Sequence, residues 1–185
     1  MKRFFDLLFC LVFIIPISFF ILLLSLFIIF VDKMPPLFFQ ERIGKDGKKF
    51  VCYKLQTMRP PSSINEIGDH VSDKQRVTKL GVFLRDHGWD ELPQIWNVLL
   101  GNMSLLGPRP LIEKDIKRLE VENIFLMEIW KKRFALKPGI SGWCQVNTKK
   151  SNPYEIKYDI EGNHKKLFSI FFRTSKFFMF GGHEV

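Results

Sequence analysis

LLFCLVFIIPISFFILLLSLFIIFV, residues 7–31, is a run of about 25 residues without a charge. As a helix it reaches across a bilayer core of roughly 30 Å. Lys2 and Arg3 precede it and Lys33 follows. The run is too long for a signal peptide, and no small-residue cleavage site ends it. Two topologies fit: a helix that spans the bilayer, or a re-entrant helix-break-helix that enters and leaves on one face. Pro16 lies near the middle, removes a backbone donor and crowds the preceding turn, so it kinks or breaks the helix. Spanning helices tolerate such kinks, so Pro16 alone does not choose. Ser18 and Ser25 are placed to satisfy freed carbonyls. Basic residues at both flanks are consistent with both ends on the cytoplasmic side.

The rest of the chain must be one modest domain. At 185 residues the length supports an anchor (1–34) and a single further unit (35–185). The formal net charge of +9 favours anionic partners such as phospholipid head groups, nucleotides or nucleic acid. Cys10, Cys52 and Cys144 are scattered and odd in number, which indicates neither a disulfide frame nor a zinc site. No nucleic-acid recognition fold is visible, and the apolar anchor argues against that class.

Local signals then divide the chain. Leu37-Phe38-Phe39-Gln40-Glu41-Arg42 reads as a strand, Lys45-Asp46-Gly47-Lys48 as a turn with Gly47 at positive φ, and residues 50–58 as the return strand. Residues 59–73 carry Pro60, Pro61 and Gly68 and read as a loop, a candidate lid. Residues 76–85 place apolar side chains at Val77, Leu80, Phe83 and Leu84, which predicts a helix packed by one face. Leu92, Ile95, Trp96 and Leu99 repeat at helical spacing, with Gly101 as the stop. Residues 111–136 form a long helical candidate ended by Lys137-Pro138-Gly139, and Trp143-Cys144-Gln145-Val146 is strand-like. Residues 167–180 mix Phe with Lys and Arg, as an interfacial helix does; an ordinary core helix is the alternative.

The chemistry gathers at Asp90-Glu91-Leu92-Pro93-Gln94. Read for structure alone, Asp90 is an N-cap, Glu91 a first-turn acid, and Pro93 a tolerated early proline. Read for chemistry, a helix start stabilises negative charge, keeps a carboxylate ionised and attracts phosphate. An ionised aspartate can attack phosphorus and form an acyl phosphate. A metal such as Mg²⁺ would let one anion approach another. Arg42, Arg76, Arg85 and Arg109 could hold phosphates. Arg109 is pre-set between Pro108 and Pro110, which suits bidentate contact; a turn arginine paired with a structural carboxylate is the bland alternative. Lys54 and Lys79 are weaker candidates, since lone lysines are usually solvated. His87 sits near the acidic pair without metal-ligand spacing. No phosphate loop, dinucleotide fingerprint or zinc-protease motif is present.

Several ordered motifs resemble the bacterial sugar transferases, the monotopic phosphoglycosyl transferases. They are Lys2-Arg3-Phe4-Phe5-Asp6, Phe39-Gln40-Glu41-Arg42-Ile43-Gly44, Tyr53-Lys54-Leu55-Gln56-Thr57-Met58, Leu84-Arg85 through Leu99, Gly101 through Pro110, and Lys137 through Asn147. The resemblance implies transfer of a sugar-1-phosphate from a UDP-sugar to polyprenyl (undecaprenyl) phosphate, with release of UMP. It implies Asp90 as a nucleophile that carries the phosphosugar covalently, Glu91 as its partner, and Mg²⁺ near Asp90. Arg85 and Arg109, with Arg42 and Lys54, are then the phosphate-binding expectations. Pro16 matches the proline that breaks a re-entrant anchor. The implied place is the cytoplasmic face of a bacterial inner membrane, with downstream glycosyltransferases as possible partners. The chain resembles the minimal form of these enzymes, without a multi-span domain. The expected fold is α+β and mostly helical: a Pro-broken re-entrant membrane helix, a small β-hairpin, and a helical catalytic core with amphipathic interfacial helices. Gly88 stands where such proteins commonly carry Ser, and Gln56 where a basic residue is usual. Thr148-Lys149-Lys150 replaces a frequent Gly-Arg-Asn, which motivates the alternative of a catalytically impaired membrane scaffold.

Overall fold

A computed structural model describes residues 2–60, 73–114, 116–117 and 133–142. The apolar N-terminus is one helix, α1 (Lys2–Phe27), with Pro16 inside it. The expected break at Pro16 is corrected: proline removes a single donor, and the helix continues on either side of it. Ser18 does not compensate, because its hydroxyl is buried and makes no hydrogen bond among the described residues. The chain leaves the helix further on. A π-helical turn (Ile28–Asp32) ends at Lys33, which takes the left-handed conformation with φ 54°.

Burial along α1 is one-sided. Cys10, Ile14, Ile17, Ile21, Leu24 and Ile28, spaced alternately by four and three, pack onto the rest of the protein. Leu11, Ile15, Phe19 and Leu22 are exposed, with Ile15 at 78%. Polar groups fasten both ends. Near the start, Arg3 donates to Val98 O (2.5 Å) and Leu99 O (2.9 Å), while Asp6 accepts from Ser104 Oγ (2.8 Å) and Leu105 N (3.1 Å). Beyond the far end, Asp32 accepts from Thr78 Oγ1 (2.7 Å).

The hairpin follows as its turn chemistry requires. Strands β1 (Leu37–Ile43) and β2 (Lys49–Leu55) pair antiparallel, with Phe38 opposite Lys54 and Arg42 opposite Phe50. Asp46 (φ 56°) and Gly47 (φ 73°) both adopt left-handed conformations at the turn. The outer edge of β2 is closed by a side chain. Asn97, fully buried, accepts from Tyr53 N (3.0 Å) and donates to Val51 O (2.6 Å), as a neighbouring strand would.

The predicted helix over 76–85 starts later, as α3 (Lys79–Asp86), and a separate short helix, α2 (Asp73–Arg76), precedes it. Val77 bridges to Met58, and Thr78 caps α3 by accepting from Gly81 N (2.9 Å). The Thr78 side chain therefore ends one helix reading and starts another. Helix α4 (Gln94–Leu99) stops near Gly101 (φ 87°), as the sequence predicts. A short parallel pair, β3 (Ser104–Leu106) with β4 (Gly139–Ser141), was not visible in the sequence. Leu111 bridges to Ile43, so the helix expected from 111 starts later. Most of 59–73 and 111–136, the strand at Trp143 and the helix at 167–180 lie outside the described residues.

Two apolar clusters sit side by side under α1. One joins Cys10 to Cys52, Ile95, Val98 and Met103, and the other joins Leu24 and Ile28 to Met34, Leu55 and Leu84. Cys10 and Cys52 are free. Gly81 brings α3 against the backbone of Thr57, where a β-carbon would overlap the Thr57 carbonyl. Gly81→Ala in a helix interior would ordinarily stabilise by about 1 kcal/mol. Here it is expected to destabilise by about 1–3 kcal/mol through overpacking, read as a lower thermal midpoint in detergent.

Candidate active site

The turn before α4 is a 3₁₀ turn, Trp89–Glu91, entered through Gly88 at φ 66°. That conformation favours glycine, which accounts for Gly88 at this position. Asp90 and Glu91 thus sit in the 3₁₀ turn, with Pro93 at the N-cap of α4. Asp90 is not the N-cap, which corrects the reading for structure alone. Trp89 packs edge-on against Phe20 of α1 at 5.0 Å and against Phe83 at 5.4 Å. Helix α1 therefore supports the residue next to Asp90.

The two carboxylates differ in state. Glu91 accepts from Lys54 Nζ at 2.5 Å, a pair with only 15% and 18% of its side chains exposed. Burial pushes the Glu91 carboxyl up, but Lys54 and Arg109, then Arg42, outweigh it and hold it below the usual range. Asp90 is 8% exposed and its side chain forms no hydrogen bond or ion pair among the described residues. Burial, aided by the negative charge of Glu91, raises it from an ordinary 3.8 to about 6, against the pull of Lys54, Arg85 and Arg109. A carboxyl at about 6 is still mostly ionised at neutral pH, so what differs from the sequence expectation is the source and ease of ionisation, not the charged state. Burial and a like charge oppose ionisation here, and α4 begins four residues later.

All four expected cations converge. Lys54 is not a solvated lysine but the ion partner of Glu91. Arg85 donates through Nε to Thr57 Oγ1 (2.9 Å), which orients it. Arg42 donates to Pro110 O (3.1 Å) and Gln40 Oε1 (2.5 Å). Arg109 is exposed between buried Pro108 and Pro110, and its carbonyl accepts from Arg133 Nη2 (2.5 Å). Its guanidinium forms no ion pair among the described residues, so the alternative of a turn arginine paired with a structural carboxylate is not seen. Arg76 instead binds Arg59 O. His87 packs on Phe83 and Trp89 rather than reaching the carboxylates.

Sequence reasoning missed Thr57, Asn97 and Gln94. Asn97 had a signal, a polar residue inside an apolar helical repeat. Thr57 had none, since its role comes from a contact 28 residues away.

The donor set fits a hard cation. Mg²⁺ usually takes one or two protein carboxylates and completes its shell with water and substrate phosphates. Among the described residues no three His, Cys, Asp or Glu converge, so the protein does not close a site alone. Glu91 is occupied by Lys54, which leaves Asp90 as the available carboxylate.

The raised Asp90 value has a consequence for folding. Its carboxyl binds protons more tightly folded than unfolded, so stability contributed by this group falls as pH rises from about 4 to about 6. In metal-free protein, Asp90→Asn is expected to raise the thermal midpoint at pH 7 and to change it little at pH 4. Midpoints of the two proteins at both pH values check this.

Comparisons with known proteins bear on the family. The family described as bacterial sugar transferase matches residues 1–179. An uncharacterized sugar transferase of Bacillus subtilis is 35% identical over 162 residues, covering 87% of this chain and 75% of its own. The UDP-glucose:undecaprenyl-phosphate glucose-1-phosphate transferase of Escherichia coli is 39% identical over 115 residues, 61% of this chain and 24% of its own. The UDP-N-acetylgalactosamine-undecaprenyl-phosphate N-acetylgalactosaminephosphotransferase of Aeromonas hydrophila is 39% identical over 112 residues, 60% of this chain and 26% of its own. The chain therefore spans about a quarter of the length of these two enzymes.

Proposed function

From the premise that the chain belongs to the bacterial sugar transferase family, we propose that it is a phosphoglycosyl transferase working at a membrane surface. It moves a sugar-1-phosphate from a UDP-sugar to polyprenyl phosphate. The observation that carries the reading is Asp90, a buried carboxylate with no bonded partner among the described residues, close to Lys54, Arg85 and Arg109, with Arg42 acting on the neighbouring Glu91.

The chemistry proceeds in two displacements. The diphosphate of the donor is held by Arg85 and Arg109, whose guanidinium planes suit phosphate oxygens. An Asp90 carboxylate oxygen attacks the phosphorus that carries the sugar. The anhydride bond to the second phosphorus breaks, and UMP leaves with the bridging oxygen and its electron pair. An oxygen of polyprenyl phosphate then attacks the same phosphorus. The acyl–phosphate bond breaks, Asp90 is restored, and a polyprenyl diphosphate sugar forms. Glu91, neutralised by Lys54, keeps a second free negative charge from facing the donor. Mg²⁺, held by Asp90 and the substrate phosphates, would supply charge neutralisation between the reacting anions.

Topology supports this assignment. Residues at the start of α1 and just beyond its end bind one and the same domain, which supports a topology with both ends on one face of a membrane. A spanning helix would carry one end across roughly 30 Å of hydrocarbon. The exposed apolar side of α1 then meets lipid, and Asp90 is held near the plane of the acceptor phosphate. Nucleotide sugars are cytosolic, which supports placing the domain on the cytoplasmic face of an inner membrane.

The test is a panel of UDP-sugars with Mg²⁺ and undecaprenyl phosphate in detergent, read by UMP release. Turnover of at least one donor is expected. No UMP from any donor would favour the scaffold reading, which the replacement of Gly-Arg-Asn by Thr148-Lys149-Lys150 motivates.

A further inference from the structure

Three cations act on Asp90, and Lys54 is already paired with Glu91. The other two, Arg85 and Arg109, form no ion pair among the described residues. They are restrained in opposite ways. At Arg109 the backbone is fixed: prolines flank it and its carbonyl accepts from Arg133, but its guanidinium forms no hydrogen bond among the described residues. At Arg85 the side chain is fixed: Nε donates to Thr57 Oγ1 at 2.9 Å, while the terminal nitrogens form no bond among the described residues. A guanidinium held at Nε keeps its two outer nitrogens for a ligand.

The hydroxyl that holds Arg85 stands on an immobilised backbone. Thr57 is 5% exposed. Its carbonyl accepts from Thr78 N (3.1 Å), and two residues on, Arg59 N donates to Arg76 O (2.9 Å). Gly81 lies against the same carbonyl, so closely that a β-carbon there would overlap it. Thr78 is fixed in its turn, because its hydroxyl donates to Asp32 and accepts from Gly81 N. Arg85 follows Thr78 by seven residues, two turns along, so α3 grips Thr57 at its start and again at Arg85. All of Thr57's contacts with the start of α3 are made by its main chain. Its side chain has one hydrogen bond among the described residues, the one from Arg85. Packing alone would be served by an apolar side chain at this buried position, so the hydroxyl has a separate task.

We propose that Thr57 is a positioning residue for phosphate binding: its hydroxyl fixes the guanidinium of Arg85, so that the outer nitrogens meet the donor diphosphate already oriented. This rests on the preceding reading in that Arg85 holds that diphosphate. Rotamer freedom that would otherwise be lost when the donor binds is then lost on folding.

UDP-sugar kinetics and calorimetric titration with UDP, both on the full chain in detergent with Mg²⁺, test this. Thr57→Val keeps the branch at the β-carbon and every main-chain contact and removes the hydroxyl. It is expected to lower kcat/KM for the UDP-sugar, and the affinity for UDP, by about tenfold each. Thr57→Ala, which also lacks the hydroxyl, is expected to match it, and Thr57→Ser to restore both quantities. Arg85→Lys keeps the charge and lacks the Nε hydrogen that Thr57 receives, so in that background Thr57→Val is expected to cost nothing further. The proposal is overturned by unchanged kcat/KM and UDP affinity in a folded Thr57→Val or Thr57→Ala protein. It is equally overturned by a loss that Thr57→Ser does not repair, or by one that persists undiminished beside Arg85→Lys. Wild type that neither releases UMP nor binds UDP overturns it together with the transferase reading. UMP release indifferent to Thr57 defeats this inference alone. UDP affinity that responds to Thr57 through Arg85, without UMP from any donor, defeats the transferase reading alone.

Discussion

Asp90→Asn is expected to lower UMP release by at least about a thousandfold while the protein still folds and stays with the membrane. The substitution keeps the shape of the side chain and removes its capacity to bond phosphorus and later leave. Because Asp90 is a buried carboxylate held up near 6, the amide also relieves an unfavourable charge, so folding should not suffer. The combination is diagnostic: a more stable protein at neutral pH with almost no turnover. Incubation of wild type with a radiolabelled UDP-sugar and no acceptor should leave label on the protein, and the Asn variant should carry none. Turnover retained by the variant would refute the nucleophile assignment.

Lys54→Met is the second large effect, and it acts through Glu91. The ammonium sits 2.5 Å from the carboxylate with both side chains mostly buried. Removing one member of such a pair leaves an uncompensated charge and costs about 3 kcal/mol or more. For a chain of this size that lowers the thermal midpoint by about 6–12 °C. Lys54 also pulls the Asp90 carboxyl down, so its loss pushes Asp90 further up. Residual activity should then need a higher pH, with the rising limb of the pH–rate profile displaced upward. The double variant Lys54→Met with Glu91→Leu should recover most of the stability and none of the rate, since an apolar pair needs no neutralisation. Differential scanning of the three proteins beside their pH profiles checks both parts.

Much of this was legible in the residues because local rules governed it. The apolar run, the hairpin with Gly47 at its turn, the helix over Leu92–Leu99 and its stop near Gly101 each follow from a few neighbours. The acidic pair and its four cations could be named together because the motifs that carry them resemble those of a known family. What was not legible depended on distant partners. Thr78 breaks a helix that periodicity alone runs through, since its hydroxyl is shared between Gly81 N and Asp32. The parallel pairing of Ser104–Leu106 with Gly139–Ser141 joins segments more than thirty residues apart. The electrostatic state of Asp90 also could not be read, because burial is a property of the folded whole. At Pro16 the local rule overreached, since one missing donor did not stop the helix.

Asp6 and Ser104 are 98 positions apart, yet they share a buried hydrogen bond. During translation at about 5–20 residues per second, Asp6 waits roughly 5–20 s before its partner is even made. For that interval the nascent chain offers a greasy segment whose charged residues have nothing to bind. It must be kept by lipid or by a chaperone, and a ribosome stalled before codon 104 would release a species prone to clump. Such contacts at long sequence separation make assembly slow and late, so the timing of synthesis, as much as the finished fold, decides the yield of working protein.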